Sequence, residues 1–412
     1  MHRHPKPLCT AITALLTLLL LAGALPAQDV VALRREADTR RAALAPDDVA
    51  GRRELARWCA ANRLRQSELS LYREIVRLAP DDEAARKALG HVRDGATWHE
   101  SADAMQLAKG RLRGLAGWLD AKPEGAAQLH EHWLAPGELA RLEAGEAMAA
   151  HKSGAQHEVL TLHWRLRSGL KEKESLELAR VAEQAVRQWR EESGLKRETG
   201  AATLHMVMLK SHSDYVAMIQ ADMETFDQQM TKSHGFFDGR VCWGSFFKDW
   251  YRTRRIVLHE ARHQFDLLVA GTFLHQPAWY REGTAEYYSV HDWDGKTLRM
   301  GRLNSDVNEH LYFLQRICKR RKLRGAESTL RQGEQMEIDP EFYQQSWAFV
   351  YFCRTGKYAE AFKKWEADLL AGKLKGHEAQ WKAFAETVAP DTRAFDRAYS
   401  EATETDAAKF KG

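Results

Sequence analysis

The segment His259-Glu260-Ala261-Arg262-His263, with Glu282 following after eighteen intervening residues, restricts this chain more than any other feature. Two histidines four apart share a face when the backbone is an α-helix. A helix here brings both imidazoles within reach of one ion and sets Glu260 beside them. A catalytic zinc takes three protein ligands and leaves one position open. Glu282 is the candidate third ligand, so the fold has to return its segment against the metal helix.

Glu282 lies in Trp279-Tyr280-Arg281-Glu282-Gly283-Thr284-Ala285-Glu286-Tyr287-Tyr288. Helical spacing puts Glu282 and Glu286 on one face. One carboxylate can bind the metal while the other, Glu286, holds the free ring nitrogen of His259 or His263. Gly283 carries no side chain, which lets this helix pack close to the metal helix. At these residues the chain resembles the gluzincin metallopeptidases, both aminopeptidase N relatives and the peptidase-MA-like families. The resemblance implies zinc ligation by His259, His263 and Glu282, with Glu260 as general base and acid. It also implies a thermolysin-like catalytic domain within an α+β, mainly helical fold. The strong match covers about forty residues, and a weaker one runs from about residue 157 to the C-terminal region. No Gly-Ala-Met-Glu-Asn-type string precedes the metal helix. Aminopeptidases of that group use this string to hold a substrate amino terminus, so the resemblance does not extend to exopeptidase action.

The chain has 412 residues, enough for two or three domains, and its 44% apolar and 29% charged content fits a soluble globular protein. A formal charge of +4 gives no argument for a nucleic-acid partner. The basic run Lys319 to Arg324 reads as a solvated helix end. Residues 1–27 have the form of an export signal. A positive stretch from His2 to Pro7 precedes an apolar run from Ala11 to Ala24, closed by small residues. Cleavage near Ala24 or Ala27 would send the chain to the periplasm or outside the cell and leave no membrane span. An uncleaved anchor is the alternative. Outside the signal, Cys59, Cys242, Cys318 and Cys353 fit disulfides or buried free thiols, and no Cys-x-x-Cys pair exists.

Residues 28–95 carry a repeat. Leu44-Ala45-Pro46-Asp47-Asp48 recurs as Leu78-Ala79-Pro80-Asp81-Asp82, a shift of 34 residues, the period of tetratricopeptide helix pairs. Each Pro-Asp-Asp is expected to stop one helix and cap the next. The module serves as a packing platform or as a groove for a partner peptide. Residues 96–155 read as a helical connector, with periodicity around Ala104 to Leu119 and Pro136 to Ala150. His130 and His132, two apart, do not share a helical face, and a surface position is expected for them.

Residues 156–300 form the expected catalytic domain. Leu160, Leu162, Trp164 and Leu166 alternate as in a strand, as do Leu204, Met206 and Met208. Between them, Leu178 to Trp189 follow helical spacing. Ser213 is the expected cap of a further helix. Gly239 to Phe247 reads as a strand, and relatives bind substrate backbone at an edge strand in this region, which makes it the candidate edge. The metal helix is expected from Thr253 to Ala270, ended by Gly271. Residues 301–412 read as a helical subdomain completing the cleft.

The expected activity is hydrolysis of a peptide or protein substrate, with Glu260 moving the proton from water to the leaving amine. Gluzincins often add a downstream tyrosine or histidine as oxyanion donor. Tyr343, near the start of the helix running to Phe352, is the candidate, with Tyr351 as alternative. Two rival readings are a catalytically silent zinc-containing scaffold and a zinc hydrolase acting on another bond, such as a cell-wall amide.

Overall fold

Helix boundaries in the N-terminal part follow the two Pro-Asp-Asp sites. In the computed structural model, residues 27–150, 156–195, 203–222, 230–303, 309–331 and 340–409 are described, so the expected export signal lies outside them apart from Ala27. Helix α1 (Ala27–Ala42) ends before Pro46, and Asp48 accepts from the Gly51 amide to cap α2 (Val49–Ala61). Helix α3 (Arg65–Leu78) ends before Pro80, and Asp82 caps α4 (Glu83–Ala88) through the Ala85 amide. Ala37, Leu55, Ala56, Cys59, Leu64 and Leu71 form the core that these helices share. This is one of two compact units, residues 1–105 with 216–232. The second comprises residues 106–215 and 233–412 and holds every candidate site residue.

The stretch expected as a helical connector is mostly hairpins. Strands β1 (Val92–Asp94) and β2 (Thr97–His99) pair, then α5 (Ala102–Ala108), β3 (Leu112–Arg113), β4 (Trp118–Leu119), β5 (Ala127–Leu129), β6 (His132–Leu134), α6 (Pro136–Glu143) and β7 (Met148–Ala150) follow. Strands of two or three residues are too short to show a period, which is why helical spacing was the stronger signal there. His130 and Glu131 form the two-residue turn between β5 and β6, both with positive φ (49° and 68°), as a type I′ hairpin requires. The expectation of a surface position fails for both histidines. His132 is fully buried, and His130 bonds the Thr203 hydroxyl (2.8 Å) and the Thr161 carbonyl (2.9 Å).

The second unit is built on a six-stranded sheet ordered β11-β12-β10-β9-β8-β7. Its strands are β8 (His157–Leu160), β9 (Trp164–Ser168), β10 (Leu204–Leu209), β11 (Gly235–Phe237) and β12 (Val241–Ser245), besides β7. The alternation from Leu160 to Leu166 runs through a turn at Thr161–His163, so it belongs to two antiparallel strands and not to one. Strand β10 lies parallel to β9 and β12, while β11 closes antiparallel on β12. Strand β12 is therefore interior. The sheet's edge here is β11, correcting the expectation for residues 239–247. The cause is a tight return at Asp238-Gly239-Arg240, where Asp238 accepts from the amides of Arg240 and Val241.

Helices α7 (Glu172–Glu192) and α9 (Trp250–Leu268) bury Trp189, Val257, Leu258, Ala261 and Phe265 with the sheet residues Trp164, Leu166 and Met206. Helix α8 (His212–Asp222) is capped by Ser211, which accepts from the Asp214 amide (3.1 Å), two residues earlier than the expected Ser213. Helix α10 (Ala278–Ser289) bridges to β13 (His291–Trp293) and β14 (Leu298–Met300). Beyond them the described chain is helical: α11 (Glu309–Lys319), α12 (Ala326–Leu330), α13 (Pro340–Thr355), α14 (Ala359–Leu370), α15 (Gly376–Thr387) and α16 (Thr392–Ala408). Trp279 and Tyr280 on α10 join the core of this helical part, with Phe349, Trp365, Phe384 and Phe395, while Tyr288 joins the sheet core. Each such side chain stabilises by ~1.5–3 kcal/mol when fully buried, so α10 is anchored at both ends. The fold is thus α+β and mainly helical.

Gly283 faces α13, not the metal helix as its position in sequence suggested. A Cβ there would sit 2.5 Å from the Ser346 carbonyl oxygen and 2.9 Å from Val350. Backbone cannot swing aside as a side-chain tip can, so Gly283→Ala is expected to force α10 and α13 apart. The cost is about 1–3 kcal/mol of stability, read as a lower denaturation midpoint. An unchanged midpoint would show that the two helices are not this close.

Buried imidazoles set the acid limit of the fold. Burial holds His130 and His291 down at about 4. In the unfolded chain an imidazole titrates near ~6.5. Both stay neutral in the folded chain where they would take a proton on unfolding. The contribution of these two groups is therefore full above about pH 6.5 and is lost as pH drops toward 4. Urea midpoints at pH 7.5, 5.5 and 4.5 should decline in that order, and His130→Gln with His291→Gln should flatten the decline. An undiminished slope in the double variant would assign the acid sensitivity elsewhere.

Candidate metal centre

Asp249 caps the metal helix by accepting from the Arg252 amide (3.0 Å), and Gly271, at φ 65°, lies just past its end. Within it, His259 and His263 are one turn apart, and their Nε2 atoms lie 3.1 Å from each other. Glu282 Oε2 on α10 is 3.3 Å from the Nε2 of each. The three donors thus form a nearly equilateral triangle. A tetrahedral zinc with bonds of about 2.0–2.1 Å spaces its donors about 3.3 Å apart, so these residues fit such an ion. The nearest ligand atoms of His259, Glu260 and His263 also lie within 4.8 Å of one another.

The electrostatics ask for a cation. Burial alone would depress the His259 imidazole, but the Glu286 and Glu282 carboxylates override it and hold it well above its usual value. Glu282 is held well below the usual carboxylate range: burial opposes this, and His263 and His259 outweigh it. Burial raises Glu260, opposed by the two histidines and reinforced by Glu282 and Glu286.

Glu286 turns toward His259 and not His263. Its Oε1 lies 3.4 Å from His259 Nδ1, while Oε2 accepts from Arg255 (2.8 Å) and the Ser289 hydroxyl (3.1 Å) and lies 3.0 Å from His310 Nε2. His310 is itself fixed by stacking on Trp347, at 4.7 Å between ring centres. Sequence reasoning missed Arg255 and His310. Arg255 sits one turn before His259 and was findable from that spacing. His310 lies on a different helix, and nothing local announces it. Nδ1 of each imidazole is buried without a hydrogen bond to a described residue, but only that of His259 has a carboxylate, Glu286, as close as 3.4 Å. The His263 ring instead meets Phe273 edge-on at 6.0 Å.

Tyr343 is brought to the cluster, its ring centre 6.2 Å from that of His259. Burial, then Glu282, Glu286 and Glu260, push its phenol well above the usual value, so it remains a donor. Tyr351 is not brought there; it stacks on Trp347 and packs near Tyr287. The edge strand β11 also reaches the site. A Cβ on Gly235 would lie 3.2 Å from Glu260 Cγ and 2.4 Å from Ile256, so the strand backbone runs directly along the metal helix. A cavity of about 550 Å³ lies on another face of that helix, lined by Arg262, Asp266, Tyr288, Arg354 and Glu366, and does not include the donor triangle.

Cys59, Cys242, Cys318 and Cys353 are free thiols, and none belongs to the donor cluster. No helix among the described residues is long and apolar enough to cross a membrane. No family model matches the chain, and none of the curated proteins matches it significantly.

Proposed function

We propose that this chain is a zinc-dependent peptidase of gluzincin type. The observation that carries the reading is the triangle of His259, His263 and Glu282, whose edges of 3.1, 3.3 and 3.3 Å suit one tetrahedral ion with a position left open. A zinc ion held there would supply Lewis acidity, polarising a carbonyl and making water a nucleophile near neutral pH. The remaining work falls to the chain. Glu260, set beside both imidazoles on the same helix, takes a proton from the attacking water and returns it to the leaving nitrogen. Glu286, 3.4 Å from His259 Nδ1, would orient that imidazole with its Nε2 toward the His263 and Glu282 donors. Tyr343 is placed to donate to the oxygen that gains charge. Strand β11 offers an unpaired edge, among the described residues, for an extended substrate backbone.

A chain that only bound partners would have no use for a buried carboxylate beside two convergent imidazoles, which weighs against the silent scaffold. The N-terminal helices, capped at Asp48 and Asp82, suit a tetratricopeptide-like module that supports the catalytic part or receives a partner. The opening apolar run from Ala11 to Ala24 supports export. The test is a mixed peptide library incubated with zinc-loaded protein, with products mapped by mass spectrometry. Cleavage that a chelator abolishes is expected. Absence of any chelator-sensitive cleavage would favour the scaffold or a non-peptide substrate.

A further inference from the structure

Arg281 stands next to the third ligand, and the chemistry derived so far does not use it. Its Nε lies 3.6 Å from Glu282 Oε1, the oxygen turned away from the imidazole pair, and a quarter of its side chain is exposed. The guanidinium carbon sits 4.7 Å from the centre of the Phe273 ring. That ring also meets His263 at 6.0 Å and Phe237 of the edge strand at 6.5 Å. Phe273 therefore ties Arg281, a metal ligand and the substrate edge to one rim. The two terminal nitrogens of Arg281 make no hydrogen bond to a described residue. A guanidinium presents its donors as a planar fork matched to a carboxylate. Stacking on Phe273 holds the fork's plane and lowers the entropy lost on binding.

The charge balance points the same way. Glu260, Glu282 and Glu286 surround the metal position, opposed by Arg255 and Arg281. Arg255 is already paired with Glu286 and Glu309, which leaves Arg281 as the more exposed and less engaged of the two guanidiniums.

We propose that Arg281 is a substrate-anchoring residue that binds a carboxylate close to the scissile bond, so that the enzyme selects peptides with a free C-terminal carboxylate or an acidic side chain there. The proposal rests on the peptidase reading. The reach is short: with Nε beside the third ligand, the guanidinium spans no more than a residue or two of extended chain from the metal position, about 3.5 Å each.

The experiment uses zinc-loaded Glu260→Gln protein, whose hydrolysis is slowed enough for peptides to outlast a titration, and reads binding by calorimetry. Three acetylated alanine–phenylalanine tetrapeptides are compared, one with a free carboxylate, one with a terminal amide, and one amidated but carrying a glutamate after phenylalanine. One of the two carboxylate peptides is expected to bind about tenfold more tightly than the plain amide, as a charge-assisted hydrogen bond implies. Which one identifies the source of the carboxylate. Arg281→Ala in the same background should erase the preference with zinc content unchanged, and Arg281→Lys should keep part of it. Equal binding of all three peptides, or a preference that survives Arg281→Ala, overturns the proposal. Loss of zinc from both Arg281→Ala and Arg281→Gln also overturns it, assigning the guanidinium to holding Glu282. The peptidase reading fails separately, if the native zinc-loaded chain cleaves none of these peptides while the binding preference still follows Arg281.

Discussion

Replacing Glu260 with glutamine is expected to lower hydrolysis by a factor of about 10²–10⁴ while zinc binding stays as in the native chain. The two side chains have the same shape, so the neighbouring Ile256 and the β11 backbone at Gly235 need not move. What is lost is one proton acceptor. Glu260 is not part of the donor triangle, so its replacement leaves three ligands in place. The measurement is paired: turnover of a peptide identified in the library, and zinc content by elemental analysis. Native turnover in Glu260→Gln would remove this residue from the mechanism. Loss of zinc together with turnover would place Glu260 among the ligands.

The second large effect is expected from His263→Ala. Removing a residue that only supports a ligand costs about 10–100-fold in metal affinity, and removing a ligand itself should cost more. Purified His263→Ala should carry no zinc after dialysis, and a competing chelator should strip it at concentrations that leave the native chain loaded. His275→Ala provides the control, because His275 lies on the exposed loop and outside the donor cluster. Retention of zinc by His263→Ala would mean that the metal sits elsewhere.

The parts of this site that were legible in sequence depend on local geometry. Helical spacing alone makes His259 and His263 converge, and it puts Glu282 and Glu286 on a common face. The Pro-Asp-Asp repeats marked real caps at Asp48 and Asp82 because capping is decided within four residues. What was not legible depends on packing between distant segments. Spacing left open which histidine Glu286 would hold. The choice of His259 follows from how α10 crosses α9. The supports Arg255 and His310 come from α9 and α11, and His310 has no sequence neighbour among the ligands. Gly283 was read correctly as a close-approach position, but its neighbour is Ser346 on α13. The edge strand was misplaced because β11 has only three residues, too few for alternation to show, whereas the longer β12 presents a clear pattern from the interior of the sheet. The hairpin tip at His130-Glu131 was missed for a related reason. It uses left-handed backbone at two residues that are not glycine, and no Asn-Gly or Asp-Gly signal marks it.

Zinc X-ray absorption on the native, zinc-loaded chain examines the central claim most directly, since it reads the donor set itself. One zinc per chain is expected, with two imidazole nitrogens and a carboxylate oxygen at about 2.0–2.2 Å. A spectrum containing sulfur, or one without imidazole scattering, would contradict an ion held by His259, His263 and Glu282.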